Sequence, residues 1–478
     1  MWVLLRHDIL GIVEQFPVLQ GHVPRLGLLR KIANVKGDAG ERLVKALKKL
    51  GPSYIKLGQV VSTRIDLLGE DVCQSLTQLQ DKLEGFDGRI AIDTIVQELD
   101  RPLDHLFADF EPNPVSAASV AQVHKAVDLD GKTVAVKILR PGIEQAFKRD
   151  LQFLSWLASI GEVLQPRMRP KGIIEVYRQQ IAFETDLRLE ASAGAEFVEN
   201  FASDKDMYLP KVDWSKTSKH VMTMEWVDGL SIDDKAGLLA NGHDLSVVMN
   251  KAARLFFKSV FEHGYFHGDQ HAGNMFVTDA GQIMFVDFGI MGRLPWKHRC
   301  FLADMMASLI ARDYAGLAQA YVDQGYLPAE KDSATFALAI RAVVEPIIDQ
   351  PLDKVSFAKL LGQLLQMGEA FGLEAQPEMF LLQKNMLMAE GISRQLTPNL
   401  NIWTMSEPLI REWVVANRNP LKRGMEHVDR VINAAGKLPG MVTKLETQLD
   451  QMNEQQGLGL GWKVALGLGV IVVVYAFA

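Results

Sequence analysis

Hydrophobic and polar positions alternate along Thr133-Val134-Ala135-Val136-Lys137. That is the period of a strand, and it puts Ala135 and Lys137 on one face. A second run, Gln282-Ile283-Met284-Phe285-Val286, is mostly apolar and predicts a buried strand ending at Asp287. From about Ile173 to Asn200 the pattern is helical, and this stretch carries Glu184, Asp186 and Glu190. Leu43, Leu47 and Leu50 form a helical stripe beside Arg42, Lys45, Lys48 and Lys49. Such a helix either packs its stripe on a protein body with the basic face in solvent, or rests on an anionic membrane surface.

The last apolar stretch, Gly457 to Ala478, has Lys463 as its sole charge. Roughly 20 apolar residues cross a ~30 Å hydrocarbon core. The segment therefore predicts a C-terminal transmembrane helix, with Trp462 and Lys463 suited to the interface. A helix buried in a dimer is the competing reading. The small residues Gly457, Gly459 and Gly461, or Gly467 and Gly469, offer a face for pairing with a second copy as a homodimer.

Composition narrows the class. A chain of 478 residues with 48% hydrophobic content exceeds one ordinary domain and fills a sizeable core, which excludes a disordered or low-complexity protein. Net charge is −7, yet the stretch from His22 to Lys49 holds eight Lys or Arg against two acidic residues, a local +6. No nucleic-acid partner is expected. Cys73 and Cys300 are too few for a disulfide framework and lack metal-ligand spacing, so a reducing compartment is expected and any metal should be oxygen-bound Mg²⁺. The N-terminus has no basic leader and no useful apolar h-region, so no signal peptide is expected.

The chemistry is concentrated in His267-Gly268-Asp269-Gln270-His271-Ala272-Gly273-Asn274 and, thirteen residues later, Asp287-Phe288-Gly289. In phosphoryl-transfer sites an Asp aligns the attacking hydroxyl, an Asn five residues on binds Mg²⁺, and the Asp of Asp-Phe-Gly binds the Mg²⁺ that bridges the phosphates. Asp269, Asn274 and Asp287 fit that spacing. Lys137 supplies the upstream strand lysine that pairs with phosphates, and Glu190 is the carboxylate expected to hold it. Where a glycine-rich loop would lie, Ser116-Ala117-Ala118-Ser119-Val120 has small side chains and no glycine. Fewer backbone conformations are open to it, so the loop should be stiffer than a glycine loop. Met222 to Gly229 reads as a hinge in which backbone groups of Glu225 and Val227 hold adenine.

These motifs, with Lys56-Leu57-Gly58-Gln59 and Glu184-Thr185-Asp186, resemble the UbiB/ADCK family of atypical kinases over about residues 30 to 300. Two positions depart from the family pattern: Ala272 stands where Pro is usual, and Ser116 where another Ala is common. The resemblance implies an α+β, bilobal protein-kinase-like fold. An N-terminal helical extension over 1–112 carries Lys56 and Gln59, a small lobe spans 113–229, and a helical large lobe spans 230–400. A helical connector follows over 401–456, then the transmembrane anchor over 457–478.

The same resemblance implies ATP and Mg²⁺ as cofactors and a regulatory group of Lys56, Gln59, Glu184 and Asp186, with Lys56 near Glu184. It also implies support of ubiquinone biosynthesis at a bacterial inner membrane. The partners it implies are membrane lipids, lipophilic phenol or quinone precursors and other enzymes of that route. Lys437, Lys444 and Lys463 favour a cytoplasmic body by the positive-inside rule. A non-catalytic, ATP-gated scaffold is the alternative, and a true protein kinase a more distant one.

Overall fold

The computed structural model describes residues 38–62, 70–77, 84–164, 170–328, 331–348, 356–373, 377–397 and 402–417, together with residue 7. Three helices open the described chain: α1 (Ala39–Leu50), α2 (Pro52–Val61) and α3 (Glu70–Thr77). Asp38 caps α1 by accepting the Glu41 N–H, and the helix stops at Gly51, whose φ of 107° suits glycine. Pro52 then opens α2, where a missing N–H costs nothing. Leu47 is buried against Leu76, with Leu43 and Val72 packed beside them, while Lys45, Lys48 and Lys49 stay exposed. The apolar stripe is thus covered by protein and its lysines are solvated, while Arg42 of the basic set is buried.

The small lobe is built on an antiparallel sheet of order β1-β3-β4-β7-β6, with β2 paired to β3. Its strands are β1 (Phe107–Phe110), β2 (Ser116–Ala117), β3 (Ala121–Asp128), β4 (Thr133–Leu139), β6 (Val212–Asp213) and β7 (Val221–Glu225). Alternation along β4 sends Val134, Val136 and Ile138 into a core shared with Ala91 and Ile95 of α4 (Gly88–Leu99) and with Phe107 and Phe110. Both α4 and β1 lie within 1–112, the segment expected to form the extension. They join the sheet because its far face needs an apolar cover that no local pattern announces.

The other face is covered by α5 (Ile143–Leu164), α6 (Pro170–Glu184) and α7 (Leu187–Phe201), with Tyr54, Leu57 and Val60 of α2 packed against the same core. The single helix expected from about Ile173 to Asn200 is therefore two, α6 and α7. Asp186 takes an extended backbone (φ −132°, ψ 95°) and its carboxylate accepts the Arg188 N–H, capping α7 and breaking the run. Tyr177, fully buried on α6, donates its hydroxyl to the Ser53 carbonyl and ties α2 to the lobe.

In the large lobe β5 (Met207–Tyr208), β8 (Leu230–Ser231), β10 (Met275–Val277) and β11 (Ile283–Phe285) form a sheet of order β5-β11-β10-β8. A two-stranded pair joins β9 (Tyr265–His267) and β12 (Met291–Arg293). Helices α8 (Lys235–Ala240) and α9 (Leu245–Lys258) precede β9. Beyond β12 come α10 (Trp296–Ile310), α11 (Tyr314–Asp323), α12 (Ser333–Ile348), α13 (Phe357–Ala370), α14 (Pro377–Leu396) and α15 (Ile402–Asn417). Phe197, Val248, Leu255, Phe285 and Phe288 fill this lobe's core, which Ile392 and Leu396 of α14 complete.

The chain divides into a unit of Met1–Ile410 and a unit of Arg411–Ala478, the latter described only as far as residue 417. Among the described residues no helix is long and apolar enough to cross a membrane. The anchor expected over 457–478 and most of the connector expected over 401–456 lie outside the described residues.

Candidate active site

The two ends of the β10–β11 hairpin bring Asn274 and Asp287 together. Asn274 immediately precedes β10, Asp287 follows β11, and the strands pair Met275 with Phe285. Asp287 has φ 64°, a left-handed conformation that costs a non-glycine residue energy and persists only where the surroundings hold it. Two contacts hold it here. His267 Nε2 donates to the Asp287 carbonyl at 2.8 Å, and the Gly289 N–H donates to Asp287 Oδ1 at 3.2 Å. His267 is fully buried and accepts the Asp269 N–H on Nδ1, so one neutral imidazole links the catalytic-loop backbone to the second motif. Burial pushes its pKa down, consistent with that neutral form.

Phe288 is buried under α7 against Phe197. A Cβ at Gly194 would come within 2.8 Å of its ring, so glycine at that position lets α7 approach the motif. The same helix carries Glu190 into the cleft. Lys137 Nζ lies 2.6 Å from Glu190 Oε1 and 3.4 Å from Asp287 Oδ1. Desolvation opposes the Lys137 charge, but the carboxylates of Asp287 and Glu190 outweigh it and raise the pKa, so the ammonium is retained. Burial pushes Glu190 up to about 7, Lys137 pulling the other way. Burial would also raise Asp287, yet Lys137 and then Lys56 hold its carboxyl well below the usual range.

Lys56 of α2 pairs with Glu184 at 3.1 Å, as expected, and Gln59 follows one turn later on the same helix. Asp186, expected in the same group, makes other contacts. Both its oxygens are engaged by Arg188, and its carboxylate is the α7 cap. A short polar side chain just before a helix serves the backbone first.

The loop from Ser116 to Val120 links β2 to β3, where Ser116 pairs with Val123 and Ala117 with Gln122. Arg140 Nε donates to the Ala118 carbonyl at 2.9 Å, the Arg140 N–H donates to the Val120 carbonyl, and the Ala118 N–H donates to the Ala121 carbonyl. The loop is thus pinned by its neighbours. Ser119 is fully buried and its hydroxyl has no partner, an orphaned donor within the segment expected to meet phosphates. At the hinge the Glu225 N–H donates to the Lys211 carbonyl at 2.9 Å, so Glu225 can offer adenine only its carbonyl. Val227 lies in the irregular segment that follows β7.

The donor chemistry fits magnesium and nucleotide. Asn274 Nδ2 donates to the Asp269 carbonyl at 3.1 Å, which leaves its Oδ1 as the amide's remaining ligand atom. Among the described residues no cluster of His, Cys, Asp or Glu forms a self-contained metal cage. One carboxylate, one amide oxygen and substrate phosphates match how Mg²⁺ is usually held.

Sequence reasoning missed the cover on the catalytic loop. Lys384 of α14 donates to Asp269 Oδ1 at 2.9 Å, and His271 Nε2 lies 3.6 Å from Oδ2. Next to it, Asn385 Nδ2 donates to the His267 carbonyl while Asn385 Oδ1 accepts the Gln270 N–H. Burial would raise the Asp269 pKa, but Lys384 and then His271 bring it below the ordinary value.

Comparison with known proteins agrees with this architecture. The model of the ABC1 atypical kinase-like domain matches residues 78–321, and that of the UbiB helical domain matches residues 340–401. A protein of Marinobacter nauticus named probable protein kinase UbiB is 37% identical over 417 residues, 85% of this chain and 76% of the relative. One of the same name from Azotobacter vinelandii is 35% identical over 419 residues, covering 86% and 77%. Among solved structures, the complex of Rv3197 with erythromycin from Mycobacterium tuberculosis superposes with a TM-score of 0.53 at 23% identity, covering 80% of this chain and 97% of that one, a likeness of fold. The motifs, both domain matches and these relatives establish that the chain belongs to the UbiB family of atypical kinases.

Proposed function

We propose that the protein uses MgATP, bound between its lobes, for phosphoryl transfer or hydrolysis in support of ubiquinone biosynthesis, acting on or mobilising lipophilic quinone precursors at a bacterial inner membrane. The observation that carries the reading is the Glu190–Lys137–Asp287 chain of charges, with Asn274 beside it. Bound MgATP supplies the γ-phosphoryl group, and the metal spreads its charge. Lys137, held by Glu190, points its ammonium at the phosphates. Asp287 and Asn274 present the metal-binding oxygens. Asp269 aligns a hydroxyl or water and takes its proton.

The acceptor in this reading is a small molecule. The relatives' names say protein kinase, but α2 brings Lys56 to Glu184 and close enough to Asp287 to favour its charged form. An extension so near the site crowds a peptide acceptor more than a phenol or water. The anchor proposed over 457–478 keeps the body at the membrane, its cytoplasmic side set by the flanking lysines. The test is Asp287→Asn in the full chain. It should abolish Mg-dependent ATP turnover while thermal unfolding stays near wild type, and retained turnover would refute the site assignment.

A further inference from the structure

Asp269 does not reach its geometry unaided. The loop that carries it is gripped by α14, which lies 115 residues downstream and within the helical domain. Asn385 holds the loop backbone on both sides of Asp269, through the His267 carbonyl and the Gln270 N–H. Lys384, one residue earlier, places its ammonium 2.9 Å from Asp269 Oδ1. Both partners are accessible, Lys384 at 22% and Asp269 at 23%, so the pair lies in a partly open site, not a sealed core. His271, the loop's own cationic candidate, is 3.6 Å away on the other oxygen. A packing role would not require a lysine at this position, where among the described residues the ammonium's one polar contact is the carboxylate.

We infer that Lys384 is a positioning residue for phosphoryl transfer: the helical domain supplies the cation that orients Asp269 toward the acceptor. This rests on the reading of the site as an MgATP-using one. Its consequence is a division of labour between domains. Nucleotide binding belongs to the kinase-like lobes, while the rate of the step after binding depends on α14.

The experiment is a double-mutant cycle in the full chain, measuring kcat and KM for ATP turnover with thermal unfolding alongside. Lys384→Met should lower kcat about 10²-fold, the cost of a reacting group misplaced by an ångström. KM for ATP and the unfolding temperature should stay near wild type. Lys384→Arg should recover most of kcat. In an Asp269→Asn background Lys384→Met should cost nothing further, because the lysine acts through that carboxylate. Wild-type kcat in Lys384→Met, or a full additional loss in the Asp269→Asn background, overturns the inference and leaves the MgATP reading standing. No turnover by the wild-type chain overturns both.

Discussion

Lys137 Nζ sits 2.6 Å from Glu190 Oε1, so the central strand of the small lobe and helix α7 are joined by one buried ion pair. Asp287 lies on the lysine's other side at 3.4 Å, and the two carboxylates share one ammonium. If Glu190 is neutralised, Lys137 keeps its second partner but loses the contact that fixes its direction. Glu190→Gln should therefore lower kcat/KM for ATP by about 10–100-fold, a transition-state loss of roughly 1.4–2.7 kcal/mol. Steady-state turnover checks this, and an unchanged kcat/KM would show that α7 does not set the lysine.

Asp204 supplies a pH-dependent part of stability. Its carboxylate accepts from both terminal nitrogens of Arg254, at 3.0 and 2.6 Å, and from Lys258 at 2.9 Å. The Arg254 hydrogen bonds outweigh desolvation and hold its pKa well below the unfolded value of 3.8. The folded state thus binds the proton less tightly than the unfolded state. The stabilisation is present above that unfolded pKa and is lost as pH falls below it. Asp204→Asn should lower stability by about 1–3 kcal/mol at pH 7. The gap from wild type should shrink as denaturant melts are repeated from about pH 4 downward.

Ala272 stands where the family resemblance leads one to expect proline, and the backbone explains why the loop still forms. His271 has φ −82° and ψ 162°, the conformation that a following proline demands, and Ala272 begins the 3₁₀ turn Ala272–Asn274. Ala272→Pro should raise stability by about 0.4–1 kcal/mol through the unfolded chain, with turnover unchanged. A lower melting temperature would show that the N–H at this position is needed.

The residues that meet at the candidate site were legible because they stand at fixed spacings on short elements, the pattern that phosphoryl-transfer sites use. Asp269, Asn274 and Asp287 lie on one continuous loop and hairpin, and Lys137 is placed by strand alternation alone. The Lys56–Glu184 pair was legible only through the family resemblance. Other features depended on tertiary structure. The break at Thr185-Asp186 hides in a helical pattern because a capping aspartate resembles any polar helix residue. The cover of α4 and β1 on the sheet is settled by packing, not by local periodicity. Lys384 and Asn385 carry no local signal, since their partners lie more than a hundred residues away.

The most direct test of the central claim is Mg-dependent ATP turnover by the full chain, with and without anionic lipid vesicles and a small phenol resembling a quinone precursor, beside Asp269→Asn. The account predicts turnover that rises with vesicles or phenol and falls by about 10²–10⁴-fold, to a measurable residue, in the variant. Tight ATP binding with no turnover under any of these conditions would contradict it and favour an ATP-gated scaffold.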